Sequence, residues 1–246
     1  MLLRGSTAVR AIIVFLALAA LRPGATQAQT LAEVARAGQT ARAGLFGSIE
    51  FRAESLDGLP QWTRVLAAME KERGAFARCV RVAARCTTPA LRSWRKIIAA
   101  AASLDRAARL RAVNDYFNRW PYRQDPDVYG RSEYWATPSE FMARSGDCED
   151  YAVAKYFALR QLGFGKDEMR IVILTDEIRG IGHAVLAIYG EDGILVLDSL
   201  SNLIVSDDRY KHYVAQYSMN ETTRWAHVGG FERKSKPAYR GLVARR

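Results

Sequence analysis

The chain has 246 residues, 49% of them hydrophobic, enough to bury the core of one substantial domain and too many for global disorder. Its formal charge is +10; three arginines and no acids fall in residues 1–28, which leaves +7 for the remainder. Six Lys or Arg lie between Arg233 and Arg246, a tail read as solvated rather than as a nucleic-acid surface, because the N-terminus points to export.

That N-terminus has the layout of a secretory signal. Arg4 and Arg10 give a positive start, Ala11 to Leu21 is an apolar run, and Thr26-Gln27-Ala28 supplies small residues for cleavage. Eleven residues are too few to span a bilayer, which takes about 20. The expected organisation is a signal peptide over 1–28, one domain over 29–232 and a basic tail over 233–246, with the mature protein in a bacterial periplasm. Export bears on the three cysteines, Cys79, Cys86 and Cys148. In an oxidising compartment an odd count suggests one pair and one free thiol. A continuous helix would hold residues seven apart about 10 Å from each other along its axis, so a Cys79–Cys86 bridge requires a break between them. The alternative is two buried free thiols, and either way Cys148 is left for chemistry.

Residues 45–51 read as a short strand. Helices are expected over 61–78, 89–101 and 106–120, with apolar stripes such as Trp62, Val65, Leu66 and Met69 that serve a core. Residues 121–139 read as a loop, and Pro138 opens a short helix to Arg144. Gly146 breaks the chain. Asp147 then caps a new helix, with Asp150 completing a capping box, and Gly163 ends it. Strands follow at 170–174, 183–189 and 194–197, the last two joined as a hairpin through Gly190-Glu191-Asp192-Gly193. Helices followed by an antiparallel sheet make an α+β fold.

The segment Gly146-Asp147-Cys148-Glu149-Asp150-Tyr151 carries the chemistry. It sets a thiol at a helix start, where free N–H groups favour a thiolate. A two-residue turn at Gly190-Glu191 would set His183 directly opposite Asp198 on the hairpin. A carboxylate there fixes the imidazole tautomer and leaves the other ring nitrogen for the thiol, so Cys148, His183 and Asp198 form a Cys-His-Asp acyl-transfer set. Asp147, Glu149 and Asp150 oppose thiolate formation. A hard cation such as calcium would cancel their charge; the simpler reading is that they cap the helix and interact with its dipole. A zinc site of Cys148, His183 and Asp198 is a third reading.

Together with Trp135-Ala136-Thr137-Pro138-Ser139-Glu140, Val113-Asn114, Phe117-Asn118, Gly182-His183 and Leu197-Asp198, this segment resembles the bacterial transglutaminase-like cysteine proteinases, best known from the LapG-type periplasmic proteases. The resemblance covers roughly residues 45–230. It implies a papain-like, transglutaminase-type core, the triad Cys148, His183 and Asp198, and calcium bound by Asp147 and Glu149. It also implies a protein substrate such as a large surface adhesin, and an inner-membrane cyclic-di-GMP receptor that sequesters the protease. The chain departs from the usual pattern at Ala184, where Met follows the histidine, and at Ser199, where Asn follows the aspartate. Acyl transfer to an amine and a non-catalytic binding module are the rival functions.

Overall fold

The computed structural model describes residues 44–230; the expected signal segment and basic tail lie outside the described residues. Among the described residues, six α-helices, α1 (Pro60–Arg81), α2 (Pro89–Ala101), α3 (Arg106–Phe117), α4 (Asp125–Tyr129), α5 (Pro138–Arg144) and α6 (Cys148–Gln161), mostly precede the sheet. The strands are β1 (Ile49–Ala53), β2 (Met169–Asp176), β3 (Ile181–Gly190), β4 (Gly193–Leu197), β5 (Val205–Ser206), β6 (Tyr213–Met219) and β7 (Arg224–Val228). They pair antiparallel throughout in the order β1-β7-β6-β2-β3-β4-β5. This is the expected α+β class. Among the described residues, no helix is long and apolar enough to cross a membrane.

The helix starts follow local chemistry. Proline occupies the first turn of α1, α2 and α5, where a missing N–H breaks no bond. Thr88 caps α2 through Leu91 N, and Asp105 caps α3 through Ala108 N at 2.7 Å. Thr137 and Glu140 form a reciprocal capping box on α5. α3 stops at Phe117 rather than at 120, because Pro121 cannot continue the ladder and disfavours a helical residue before it. The 121–139 loop contains α4, a five-residue turn too short to show a helical period. Residues 45–47 are a tight turn rather than strand. Phe46 N donates to Asp207 Oδ2 at 2.8 Å, and Leu45 and Phe46 are buried.

α6 is the central element. It is buried nearly all round and packs on β2, β3, α3 and α5. Gly163, at φ +95°, ends it as expected. The helix face of the sheet contributes Ile171, Leu186, Ile188, Leu197 and Met219 to the main core. The opposite face, with Val172, Leu174, Val185, Ala187 and Val196, is covered by Leu45 and Phe46.

α1 ends at Arg81, Val82 turns extended, and a single 3-10 turn leads to Cys86. This is the break a bridge needs, and Cys79 and Cys86 are disulfide-bonded, their Cα atoms 4.7 Å apart. The short loop limits its entropic contribution to about 2 kcal/mol. Replacing both cysteines by serine should lower the unfolding free energy by about that amount in urea titration. Unreduced mass spectrometry should show one bridge and a single alkylatable thiol, on Cys148.

Candidate active site and metal centre

Cys148 stands at the first position of α6, partly exposed. Three devices set it there. Tyr122 and Gly146 form a parallel bridge, and Arg123 N donates to Gly146 O at 2.9 Å. Ser145 adopts φ +69°, an uncommon conformation for a residue with a side chain, and turns the chain out of α5. Gly146 has no substitute, because a Cβ there would lie 1.9 Å from Asp150 Oδ2.

The hairpin forms with a register two residues from the one expected. Gly190 pairs with Gly193 and Leu186 with Leu197, so the turn is Glu191-Asp192. An even shift keeps every side chain on its face. His183 therefore still meets Asp198, and their Nε2 and Oδ1 atoms lie 2.9 Å apart. Asp198 Oδ1 also accepts from Leu200 N at 3.0 Å, and Oδ2 from the Tyr213 hydroxyl at 2.7 Å. Burial would raise the Asp198 carboxyl, but the bond to His183, its charge, and the Leu200 and Tyr213 donors hold it below the usual carboxylate range.

The backbone N–H of Ala184, the residue after His183, faces the Cys148 sulfur. Its thiol donates to Glu149 Oε2 at 3.3 Å. The Tyr122 side chain faces the same sulfur, on a ring stacked on Tyr151. Burial, then the charges of Glu149 and Asp147, push the thiol far above its ordinary range. The structure thus gathers Cys148, His183 and Asp198 at one end of β3. The other buried histidine, His227, is held by Ser48 Oγ and Ser218 Oγ, each at 2.8 Å, and ties together β7, β6 and the segment before β1.

The carboxylates do not behave as helix caps. Asp147 has the N-cap position, but its side chain makes no cap hydrogen bond, so the capping box is absent. Asp125, Asp147 and Asp150 instead bring carboxylate oxygens within 4.8 Å of one another, as do Asp147 and Glu149 with the Cys148 sulfur. Oδ1 of Asp125, Oδ1 of Asp147 and Oδ2 of Asp150 are buried without a hydrogen-bond partner. Burial and the Asp147 charge push Asp125 up to about 6. Burial, with the bond and charge of Asp147, pushes Glu149 up to about 10. Asp147 and Asp150 are raised as well, first by burial. Orphaned, crowded carboxylate oxygens are a donor set that fits a hard divalent cation. Among the described residues, no metal-competent group combines Cys148, His183 and Asp198, which removes the zinc reading.

Several partners were not assigned from sequence. Asn118 Nδ2 donates to Asp198 O at 2.9 Å, to Ser201 O at 3.0 Å and to Asn202 Oδ1 at 3.0 Å, and Asn114 Nδ2 donates to Ser201 O at 3.1 Å. The two amides clamp the loop after Asp198 to α3. Their spacing, one helical turn on a buried face, was the available signal. Tyr213, Tyr122 and Asp125 carried none, since each reaches the site from a distant segment.

Residues 69–233 match the model of the bacterial transglutaminase-like cysteine proteinases, and the chain belongs to that family. It is a cysteine peptidase. Among solved structures it is similar to calcium-bound LapG of Legionella pneumophila, with 31% identity over 58% of this chain and 82% of that one, at a TM-score of 0.51. A second LapG structure from that organism shares 29% identity over 61% of this chain and 87% of the other, at a TM-score of 0.54. An EGTA-treated LapG structure gives the same identity and TM-score, covering 84% of that chain. No curated protein matches the chain.

Two outcomes test this geometry. Gly146→Ala should destabilise the fold by more than about 2 kcal/mol, because Asp150 must leave its place; thermal melting checks it. Asn118→Ala should lower kcat about tenfold by loosening the Asp198 loop, with a smaller effect on KM, in steady-state peptide cleavage.

Proposed function

We propose that this protein is an exported, calcium-dependent cysteine endopeptidase in which Cys148 is the nucleophile, His183 the acid–base and Asp198 the group that orients His183. The observation that carries the reading is the Cys148 sulfur seated against the N–H that follows His183, with His183 bonded to Asp198 at 2.9 Å. Asp198 occupies Nε2 of the imidazole and leaves Nδ1 for the thiol. His183 takes the thiol proton, and Sγ attacks the peptide carbonyl carbon. The tetrahedral intermediate places its oxyanion toward the Cys148 N–H at the free end of α6, and the Tyr122 hydroxyl is a side-chain donor on the same side of the sulfur. His183 then protonates the leaving amine as the C–N bond breaks, giving a thioester. Water attacks the thioester while His183 accepts its proton, and Sγ leaves with the carboxylic acid product released.

Asp125, Asp147 and Asp150, with Glu149 alongside, are the residues that would hold calcium. The reading is supported by their orphaned oxygens and by the calcium-bound and EGTA-treated LapG relatives. A bound calcium supplies charge compensation beside the nucleophile and fixes the start of α6. Export is supported by the signal-like N-terminus and by the Cys79–Cys86 disulfide, which suits an oxidising compartment such as the periplasm. The substrate class is a protein, and by likeness to LapG-type proteases a large cell-surface adhesin controlled through an inner-membrane cyclic-di-GMP receptor.

Cys148→Ala should fold with a near-native melting temperature and lose at least about 10³-fold in cleavage rate. A folded variant that cleaves at the wild-type rate would remove Cys148 from the mechanism. Chelation should cut activity, and calcium should restore it better than magnesium, whose octahedral demands suit this irregular site poorly. In titration calorimetry Asp125→Asn and Asp147→Asn should each weaken calcium binding. Full activity in excess chelator, with no calcium heat, would return the carboxylates to a structural role. Surface proteomics of cells with and without Cys148 should reveal a released fragment.

A further inference from the structure

The mechanism leaves one ionisable group unused at the centre of the molecule. Lys155, on α6 two turns beyond Cys148, is 0% exposed, and its Nζ has no hydrogen-bond partner. Burying an ammonium is unfavourable by several kcal/mol unless an opposite charge answers it. The charges that act favourably on Lys155 are Asp198, on the loop after β4, and Asp115, on α3, while the Tyr151 ring lies 5.9 Å from Nζ. Burial pulls the ammonium down to about 7, against Asp198 and then Asp115.

Three more buried polar atoms without partners belong to this region: Oδ1 of Asn114, Oδ1 of Asn118 and Oγ of Ser199. The same two asparagines spend their amide N–H groups on the carbonyls of Asp198 and Ser201. A donor-only ammonium and two acceptor amide oxygens are chemically complementary. All are carried by α6 and α3, which pack together, or by the loop that presents Asp198.

We propose that Lys155 is a positioning residue, a buried ammonium at the contact of α6 with α3 that faces the charges of Asp198 and Asp115 and helps keep the 198–201 loop seated, so that Asp198 stays in register with His183. The inference rests on the reading of Asp198 as the residue that orients His183. α6 then carries both ends of the arrangement: its first residue is the nucleophile, and its eighth steadies the carboxylate behind the imidazole. Asp198 is approached by hydrogen-bond donors from β3, β6 and its own loop, and by a charge from the helix layer.

The test uses the full-length mature protein with saturating calcium. Lys155→Met keeps the shape of the side chain and removes its charge. It should lower kcat about tenfold or more and leave KM within about twofold. The reciprocal measurement follows the Lys155 Cε resonance by NMR in protein labelled at lysine. Asp198→Asn, which keeps the shape of the carboxylate, should move the Lys155 titration to lower pH, since the ammonium loses its main counter-charge. Wild-type kcat in Lys155→Met, or a loss confined to KM or melting temperature, would overturn the proposal, as would a Lys155 titration unmoved by Asp198→Asn. If Lys155→Met does not fold, the NMR titration decides alone. Wild-type cleavage by Asp198→Asn would instead sink the triad reading, whatever the Lys155 resonance does.

Discussion

The active arrangement depends on the pairing of β3 with β4. His183 and Asp198 come from adjacent antiparallel strands, and their bond exists because the hairpin register brings both to the same end of the sheet on the same face. A slip of one residue would turn one of the two away. Two glycines flanking Glu191-Asp192 set the turn, and β3 is buried on both faces from His183 to Ile188, with alternate side chains in the two cores, which holds the register. Tyr213 on β6 and the Leu200 N–H then fix the carboxylate, which stays ionised despite being buried.

Around that bond the fold collects unfavourable electrostatics. Asp125, Asp147, Glu149 and Asp150 are buried or partly buried together at the start of α6, and each is pushed toward its neutral form, burial being the largest cause. Where they stay ionised, such carboxylates oppose a thiolate next to them. The same crowding, with three oxygens unsatisfied, is what a divalent cation relieves. The acids beside Cys148 therefore fit the chemistry of a ligand set better than that of caps, and Asp150 folded over Gly146 explains why a glycine precedes them.

α6 links these parts. Its N-terminus presents Cys148 to β3, its first turn carries the acids, and its middle packs on α3, where Asn114 and Asn118 clamp the Asp198 loop. A single buried helix thus fixes the relative placement of Cys148, the acidic cluster and Asp198. Little of this arrangement can move independently, because the helix is enclosed on nearly every side.

Local chemistry decided the element types. Pro89, Pro138 and Gly163 mark helix ends that were legible in the sequence, and the caps Thr88 and Asp105 and the Thr137–Glu140 box, which were not read, are just as local, because capping involves residues within four positions of each other. The hairpin and its parity were legible for the same reason, and so was the need for a break between Cys79 and Cys86. The short turns were not: α4 and the 45–47 turn are held by distant partners, as Phe46 is by Asp207. The actual turn at Glu191-Asp192 was displaced from the expected one, because the two glycines pair with each other across the strands and flank the turn rather than fill it. The chain by itself determined that a thiol, an imidazole and a carboxylate would share one domain, since each residue type sits on an element its neighbours dictate. Only the tertiary structure decided that Asp147 would turn away from its cap, that Asp125 would join it, and that Tyr213 and Asn118 would hold Asp198. Those choices follow from burial and charge between segments far apart in sequence, which no local pattern encodes.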